Sequence, residues 1–415
     1  MTDEPKIIKG AGGGPKPPPP PYRAPDTLHS RSFATVQDLI SEGEIEGFAS
    51  ASKEELTKGT TAYQNASLKD VFLDDTPILA ADANSASPAD ADFNFQDVTF
   101  KSEFGTANQA AMSGIPNIDE SRSPTGVQVT VVNADGTESG GITGSVNRQI
   151  SNTDVDAVIV TLTWPQIQVA EDNGDLNGDT VEYKIQIRHD SGSYVDKVGG
   201  TAGTARVSGR TADAYARDHR IQLTPGFTTV DIRVIRVTAD SSSSNRVNAF
   251  QFTSFQEVID NNSTYANSAY TALRLDSKQF NRIPSRKFRI RGIKVRIPGA
   301  GANNSGTPTV DIQTGRINYP PGYVFDGTFQ AATYTNCPAM CLLDLLTNTR
   351  YGLGNHITDA NLDLFSFVAA SKYANTLVND GQGGEEARFS CNVNIQSPKE
   401  AFAAINDLAG VMRCM

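Results

Sequence analysis

The sequence is poor in the side chains that most often bind metals or attack substrates. Its 415 residues hold four histidines and four cysteines. His29, His189, His219 and His356 are scattered, and none has a second His, Cys or Glu at ligand spacing. No G-x-S-x-G, phosphate-loop or H-E-x-x-H pattern occurs. No run of about eighteen apolar residues is present, which excludes a helical membrane span, and Met1 to Pro21 lacks the apolar stretch of a secretory signal. There is one tryptophan, and the formal net charge is -11 with a pI near 4.9. That balance argues against a surface that grips nucleic acid, which needs clustered Lys and Arg. It allows a wall past which DNA slides.

Three near-motifs fail on inspection. Asn173, Asp175, Asn177 and Gly178 align with the opening of a calcium loop, but the final bidentate acid falls on Lys184; a hairpin rich in Asn-Gly turn signals explains the segment better. Glu385 and Glu386 are adjacent, so an extended chain points them opposite ways, unlike a glycosidase pair. Cys337 and Cys341 lie one helical turn apart, yet no further ligand completes a site, and with Cys391 and Cys414 they read as free thiols, small and core-packed, in a reducing cytosol. No catalytic, cofactor-binding or metal-binding residue is nominated, and the chain is read as a non-enzyme without cofactors.

What is present is a mainly β pattern with a smaller α/β part. Residues 1–30 form an extended arm, flexible at Gly12–Gly14 and stiffened by the proline run Pro17–Pro21. It is either a disordered tail or an arm that docks on a neighbour. Val36, Leu39 and Ile40 suit a helical turn or two, or a buried edge. Val71–Leu73 reads as a strand, Asp74-Asp75 as a tight turn, and a second strand ends near Leu79, followed by a loop over 81–92.

Over 125–260 a period of two dominates. Val127, Val129 and Val131, then Val158, Val160, Leu162 and Trp164, then Val181, Tyr183, Ile185 and Ile187, then Val230, Ile232 and Val234, with Phe250 and Phe252, alternate with polar neighbours. Short alternating strands between Gly, Asn and Asp turns predict a β-sandwich or jelly-roll-like domain with Trp164 in its core. Strands resume over 271–297 with Leu273 and Leu275. Phe288 and Ile290 are apolar at even positions, but Ile293, Val295 and Ile297 at odd ones, so a bulge at Gly292 is expected to keep all five on one face. Arg282, Arg286, Lys287, Arg289, Arg291, Lys294 and Arg296 make the one concentrated basic stripe. It could bind nucleic acid or an acidic partner, but the lack of interleaved aromatics favours a solvated or protein-contacting face.

The α/β part occupies 331–415. Asn336 is a candidate cap, with Pro338 in the first turn and Met340, Leu343 and Leu346 along one side; Gly352 and Gly354 stop the helix. Thr358 is expected to cap a second helix lined by Leu362, Phe365, Ala369 and Tyr373. Phe389, Cys391, Val393 and Ile395 alternate as a strand. Ser397-Pro398-Lys399-Glu400 is a capping box before a helix lined by Phe402, Ile405, Ala409 and Met412. That helix runs to Met415 without a stop signal, as if the chain ended inside a domain.

Ordered motifs carry a resemblance. Asp38-Leu-Ile-Ser-Glu-Gly43-Glu-Ile-Glu-Gly47 resembles the "ISEGxIEG" opening of the phage lambda tail-tip protein J family. Val71 to Pro77 resembles its next strand and turn, and Leu275-Asp-Ser-Lys-Gln-Phe280 its "VDSEQF" stretch. Arg289 to Pro298 is similar to "LRGRILQVP", Phe325-Asp-Gly-Thr-Phe329 to "WDGTF", and Asn348-Thr-Arg350-Tyr351-Gly352-Leu-Gly354 to "PRYGMG". Arg388 to Asn392 and Met412 to Met415 are similar to "RITCN" and "MRCM". The matches are dense over 271–415 and thin over 81–260.

The resemblance implies the N-terminal portion of a baseplate-hub protein of a siphophage-like tail tip. It implies a homotrimer ringing the DNA exit channel, against the distal tail, other tail-tip proteins and the tape-measure protein. Phage DNA would pass the lumen without sequence-specific binding, and the protein would reside in the virion after assembly in the host cytoplasm. It also implies a tube-like β-barrel from 31–124 and 261–330, interrupted by the 125–260 sandwich, with 331–415 as an incomplete α/β hub domain. Contact with a bacterial surface receptor would fall to a separate or missing C-terminal part. The alternatives are a carbohydrate- or receptor-binding adhesin using the sandwich, which needs exposed aromatics, and a cell-wall hydrolase, which needs an acidic or metal-ligand cluster.

Overall fold

A computed structural model describes residues 20–30, 33–112, 117–130, 145–261, 263–396 and 400–413. Pro17 to Pro19, Val131, Ser397 to Lys399 and Cys414 lie outside them. The structure is mainly β, 38% strand and 16% helix. It divides into two compact units, one of residues 1–31 and 118–261, the other of 32–117 and 262–415.

The first unit is built on two sheets around one core. In one, Val195–Val198, Asp179–His189, Val230–Arg236 and Val146–Ile150 lie side by side, with Arg206–Gly209 also paired to Asp179–His189. In the other the order is Tyr215–Gln222, Ala157–Trp164, Phe250–Asn261 and Asn117–Val129. The pleat sends alternate side chains to opposite faces, and the inward set is the one the period-two pattern marks. Val158, Val160, Leu162 and Trp164 from one sheet share a hydrophobic cluster with Val181, Tyr183, Ile185, Val230, Ile232 and Val234 from the other. Trp164 is fully buried, stacked on Phe250 at 5.1 Å between centroids and tilted against Tyr183 at 5.5 Å. Such pairs add about 0.5–1.5 kcal/mol beyond the burial itself. One end of this core is closed by Arg236, also buried, which donates to the carbonyls of Thr238 and Asn248 and pairs with Asp240 at 3.0 Å. Val127 departs from the expected pattern. Val127 is exposed while Val129 is buried, and the neighbouring Gly126 has φ +61°.

The second unit is a set of short open sheets. Phe33–Glu42, Ser268–Asp276 and Thr99–Phe104 form one antiparallel sheet. Val36, Leu39 and Ile40 therefore sit on an edge strand, not a helix, and Leu39 is exposed. Val71–Leu73 and Thr76–Pro77 form the expected hairpin, with Asp74 and Asp75 both at positive φ, joined by Arg286–Phe288. Ile45–Phe48, Ile290–Val295 and Thr333–Tyr334 make a third sheet. Among the described residues no sheet closes into a barrel within one chain, so the tube-like barrel that the resemblance implied is not formed there.

The phase change near Gly292 has another cause than a bulge. Pairing of Ile45–Phe48 with Ile290–Val295 runs without a shift through Gly292, and the strands break at Arg289. Phe288 and Ile290 pack on a cluster with Phe48, Val71 and Leu273, whereas Ile293, Val295 and Ile297 pack on a different one with Met340, Leu343 and Leu346. Opposite faces of one chain segment serve two cores.

Three helices accompany the second of these clusters. Pro338–Thr347 begins with Pro at its first turn, but Cys337 occupies the cap position, and the Asn336 side chain instead donates to the carbonyl of Thr314. Met340, Leu343 and Leu346 are buried as expected. The helix ends at Thr347, where Leu353 and Gly354 donate back to the carbonyls of Leu345 and Asn348. Leu364–Ala374 is capped by Asp363, whereas Thr358 caps only a single 3-10 turn. Its buried face is Val368, Ser371 and Ala374, so the expected line of Phe365, Ala369 and Tyr373 faces outward. Phe389 to Ile395 forms no strand. Of the stripe expected on the helix Ala401–Val411, Ile405, Ala409 and Met412 pack on this cluster beside the buried Leu408, and Phe402 alone departs, 75% exposed.

Candidate assembly surface

The basic stripe lies within the second unit, and its charges are answered locally. Arg286 makes a two-pronged contact with Asp38 at 2.5 and 2.8 Å; Lys294 meets Glu44 at 2.6 Å and Arg296 meets Asp359 at 2.6 Å. Arg282 and Lys287 pair with the two hairpin acids, Asp74 and Asp75. Arg291 is buried, donates to the carbonyl of Gln313 and lies over the Tyr334 ring. Arg289 reaches Asp70, a fully buried carboxylate that also accepts from the backbone N–H and hydroxyl of Ser50. The stripe thus contacts protein, its own chain: each of the seven cations has a partner there, although Arg282, Lys287 and Arg289 stay more than half exposed.

The motif residues meet in the same way. Gly43, at φ +121°, lets the backbone approach the Tyr351 ring, which a Cβ would meet at 2.9 Å. Beside it Arg350 pairs with Glu42 at 2.6 Å and donates to the Ser268 hydroxyl at 3.0 Å. The Tyr351 hydroxyl donates to Asp344 at 2.5 Å, and burial pushes the Asp344 carboxyl up from its usual range. In the Phe325 to Phe329 turn, Asp326 accepts from the backbone and hydroxyl of Thr328, while Arg296 lies 4.5 Å from the Phe329 ring. These contacts stitch strands and loops together; none sets a nucleophile beside a base.

The near-motifs resolve similarly. Asp172 to Asp175 lies in a hairpin turn between Gln168–Ala170 and Leu176–Asn177, and Asp175 accepts from the N–H of Tyr22. Glu385 and Glu386 are exposed on a two-stranded hairpin. Cys337, Cys341 and Cys391 are free thiols. Burial pushes the Cys337 thiol up; the Cys341 thiol is raised by its own hydrogen bond with Cys391 and by burial. Among the described residues no group of three or more His, Cys, Asp or Glu could hold a metal. His219 is partly buried against Tyr183, 2.8 Å from its hydroxyl; desolvation, with the Arg217 charge second, takes it down to about 4.

Sequence reasoning missed where apolar surface is left uncovered. In the second unit Leu39, Phe365, Val393 and Phe402 are each more than half exposed. Residues 390–396 and the helix Ala401–Val411 enclose a groove of about 620 Å³, lined by Cys391, Val393, Ile395, Ala404, Leu408 and Val411. The sandwich differs: its large aromatics Trp164, Tyr183, Phe250 and Phe252 all point inward. The sequence did not mark the uncovered residues: Phe365 and Phe402 read as core stripes of their helices, and Val393 as part of an alternating strand.

Residues 121–261 match the model of the FNIII-A domain of tip attachment protein J. Over 408 residues, 98% of the chain, the sequence is 33% identical to the tip attachment protein J of Escherichia phage SECphi4, and over 356 residues, 84% of the chain, it is 31% identical to that of Escherichia phage SECphi27. The chain spans 31% and 26% of the lengths of those two relatives. The spike protein P1 stem and receptor binding domain of bacteriophage PM2 aligns with 60% of the chain and 99% of its own at 11% identity and a TM-score of 0.22, which is too low to carry an argument. The sequence relatives define a class, the tail-tip proteins of bacteriophages. Within that class the chain's family is that of tip attachment protein J.

Proposed function

We propose that this chain is a structural hub subunit of a siphophage-like tail tip. Three copies form a ring around the DNA exit channel, organise the distal tail and other tail-tip proteins, contact the tape-measure protein, and support host attachment and genome delivery. The segments 31–124 and 261–330 act as the wall-forming domain, 125–260 as an insertion, and 331–415 as the adjoining hub domain.

The observation that carries this reading is the uneven surface of the second unit. It leaves Leu39, Phe365, Val393 and Phe402 more than half exposed, and among the described residues the outer edges of Phe33–Glu42 and Thr99–Phe104 pair with no further strand, while cations of the basic stripe pair with acids of the same chain. Exposed apolar patches and open edges are what subunit interfaces cover. A net charge of -11 with internally paired cations suits a wall that repels a passing duplex. Receptor contact falls to other polypeptide, because among the described residues the core strands of the sandwich offer no exposed aromatic platform. Counting copies in purified tails by quantitative peptide mass spectrometry tests the reading. Three copies per tail are expected; one or six copies, or none, would contradict it.

A further inference from the structure

Residues Tyr22–Ser30 precede the second unit in sequence but lie on the first. Their backbone and side chains meet three strands that each stand at the margin of a sheet. Arg23 forms a parallel bridge with Leu176, where the Leu176 N–H donates to the carbonyl of Tyr22 and the Ala24 N–H donates to that of Leu176, both at 2.8 Å. Leu176–Asn177 is the edge of its sheet. Thr27 donates to the carbonyl of Arg210, just past Arg206–Gly209. The Ser30 hydroxyl accepts from the N–H of Ala216 at 2.7 Å, on the strand Tyr215–Gln222 that edges the second sheet.

Four further features hold the segment down. Arg210, 11% exposed at its side chain, pairs with Asp26 at 2.5 Å and donates to the carbonyl of Ala24 at 3.0 Å. Leu28 packs on the sandwich core. Gly209 has φ +144°, and a Cβ there would collide with the Thr27 hydroxyl; at Gly174 a Cβ would press on Pro21 at 3.1 Å. The sandwich therefore leaves room for this segment at two glycines and supplies an ion pair and an apolar seat for it.

We propose that Tyr22–Ser30 is a strap that guards the edges of the sandwich. By bonding Leu176 and Ala216 within the chain, it withholds these edges from an extended strand of a second copy. An uncovered edge presents unpaired N–H and C=O groups and is a template for pairing with another chain.

The experiment compares the full chain with one lacking residues 2–30, by hydrogen exchange and by sedimentation over a range of concentrations, with the emission of the buried Trp164 as the control for a folded sandwich. Removal of the strap is expected to raise exchange at Leu176 and Ala216 by about tenfold or more and to drive association beyond the state of the intact chain. Unchanged exchange at both amides would overturn the proposal, as would faster exchange with no change in sedimentation. If the truncation also loses the Trp164 signal, Asp26→Ala and Ser30→Ala in the full chain are followed by the same two readouts, and the same outcomes support or overturn the strap.

Discussion

The two units solve the same problem with different materials. The sandwich buries one large apolar core in which aliphatic strands from two sheets close around Trp164 and Phe250. The second unit divides its apolar residues among smaller clusters and joins the pieces with charge, as at Asp70, Arg286 and Arg296. A single deep core is forgiving of its surface, whereas a stitched unit depends on individual polar contacts whose loss leaves buried groups unpaired. The stitched unit is also the one that leaves apolar side chains uncovered, which suits a part completed by neighbours.

The largest expected effect breaks the sandwich alone. Trp164→Ala removes the centre of the aromatic stack and should cost about 3–5 kcal/mol, seen as faster hydrogen exchange in the strands of 146–261 with exchange in 263–396 unchanged. Loss of protection in both units would erase the contrast. Next, Asp70→Ala should cost about 1–3 kcal/mol, because it strands the Ser50 N–H and removes the carboxylate that Arg289 meets. Its effect should appear around 45–80 and 286–295 and leave Trp164 emission untouched.

A third test uses pH. His219 titrates near 4 in the folded chain, below the usual 6.5. Between those values the unfolded state takes up a proton that the folded state refuses, so sandwich stability falls as pH drops from about 6.5 to about 4, by about 2 kcal/mol for this partly exposed ring, and flattens below. His219→Gln should remove that slope in denaturation curves taken at several pH values; an unchanged slope would place its origin elsewhere. The smallest effect on the isolated chain is expected for Phe402→Ser. Phe402 is three-quarters exposed, so stability should move by less than about 0.5 kcal/mol, while incorporation into tails, followed by copy number, should drop. A large stability loss would show that the residue already packs within the chain.

The same contrast governs what could be read from the sequence. Val158 to Trp164 and Val230 to Val234 each serve one core with one face, so a period of two locates them directly. The second unit defeats that logic at Ile290 and Ile293, which belong to different clusters though they share a strand. The helix Leu364–Ala374 misleads for a related reason: Phe365 and Tyr373 look like a core stripe but are exposed, and the helix turns Ser371 inward, where it meets Tyr319 and Cys337. Phe389 to Ile395 alternates like a strand without a partner strand among the described residues. The ion-pair network was invisible because its partners, such as Asp38 and Arg286, lie far apart in sequence, and only the fold brings them together. The motifs that point to the family proved to be the joints of that network, as Gly43 against Tyr351 and Glu42 against Arg350 illustrate.

Electron cryomicroscopy of intact virion tails bears most directly on the central claim. The account predicts a threefold ring of this chain at the distal end, with the helix Ala401–Val411 and the outer edge of Phe33–Glu42 covered by protein. A distal end without this polypeptide, or single copies bound peripherally with both surfaces open to solvent, would contradict it.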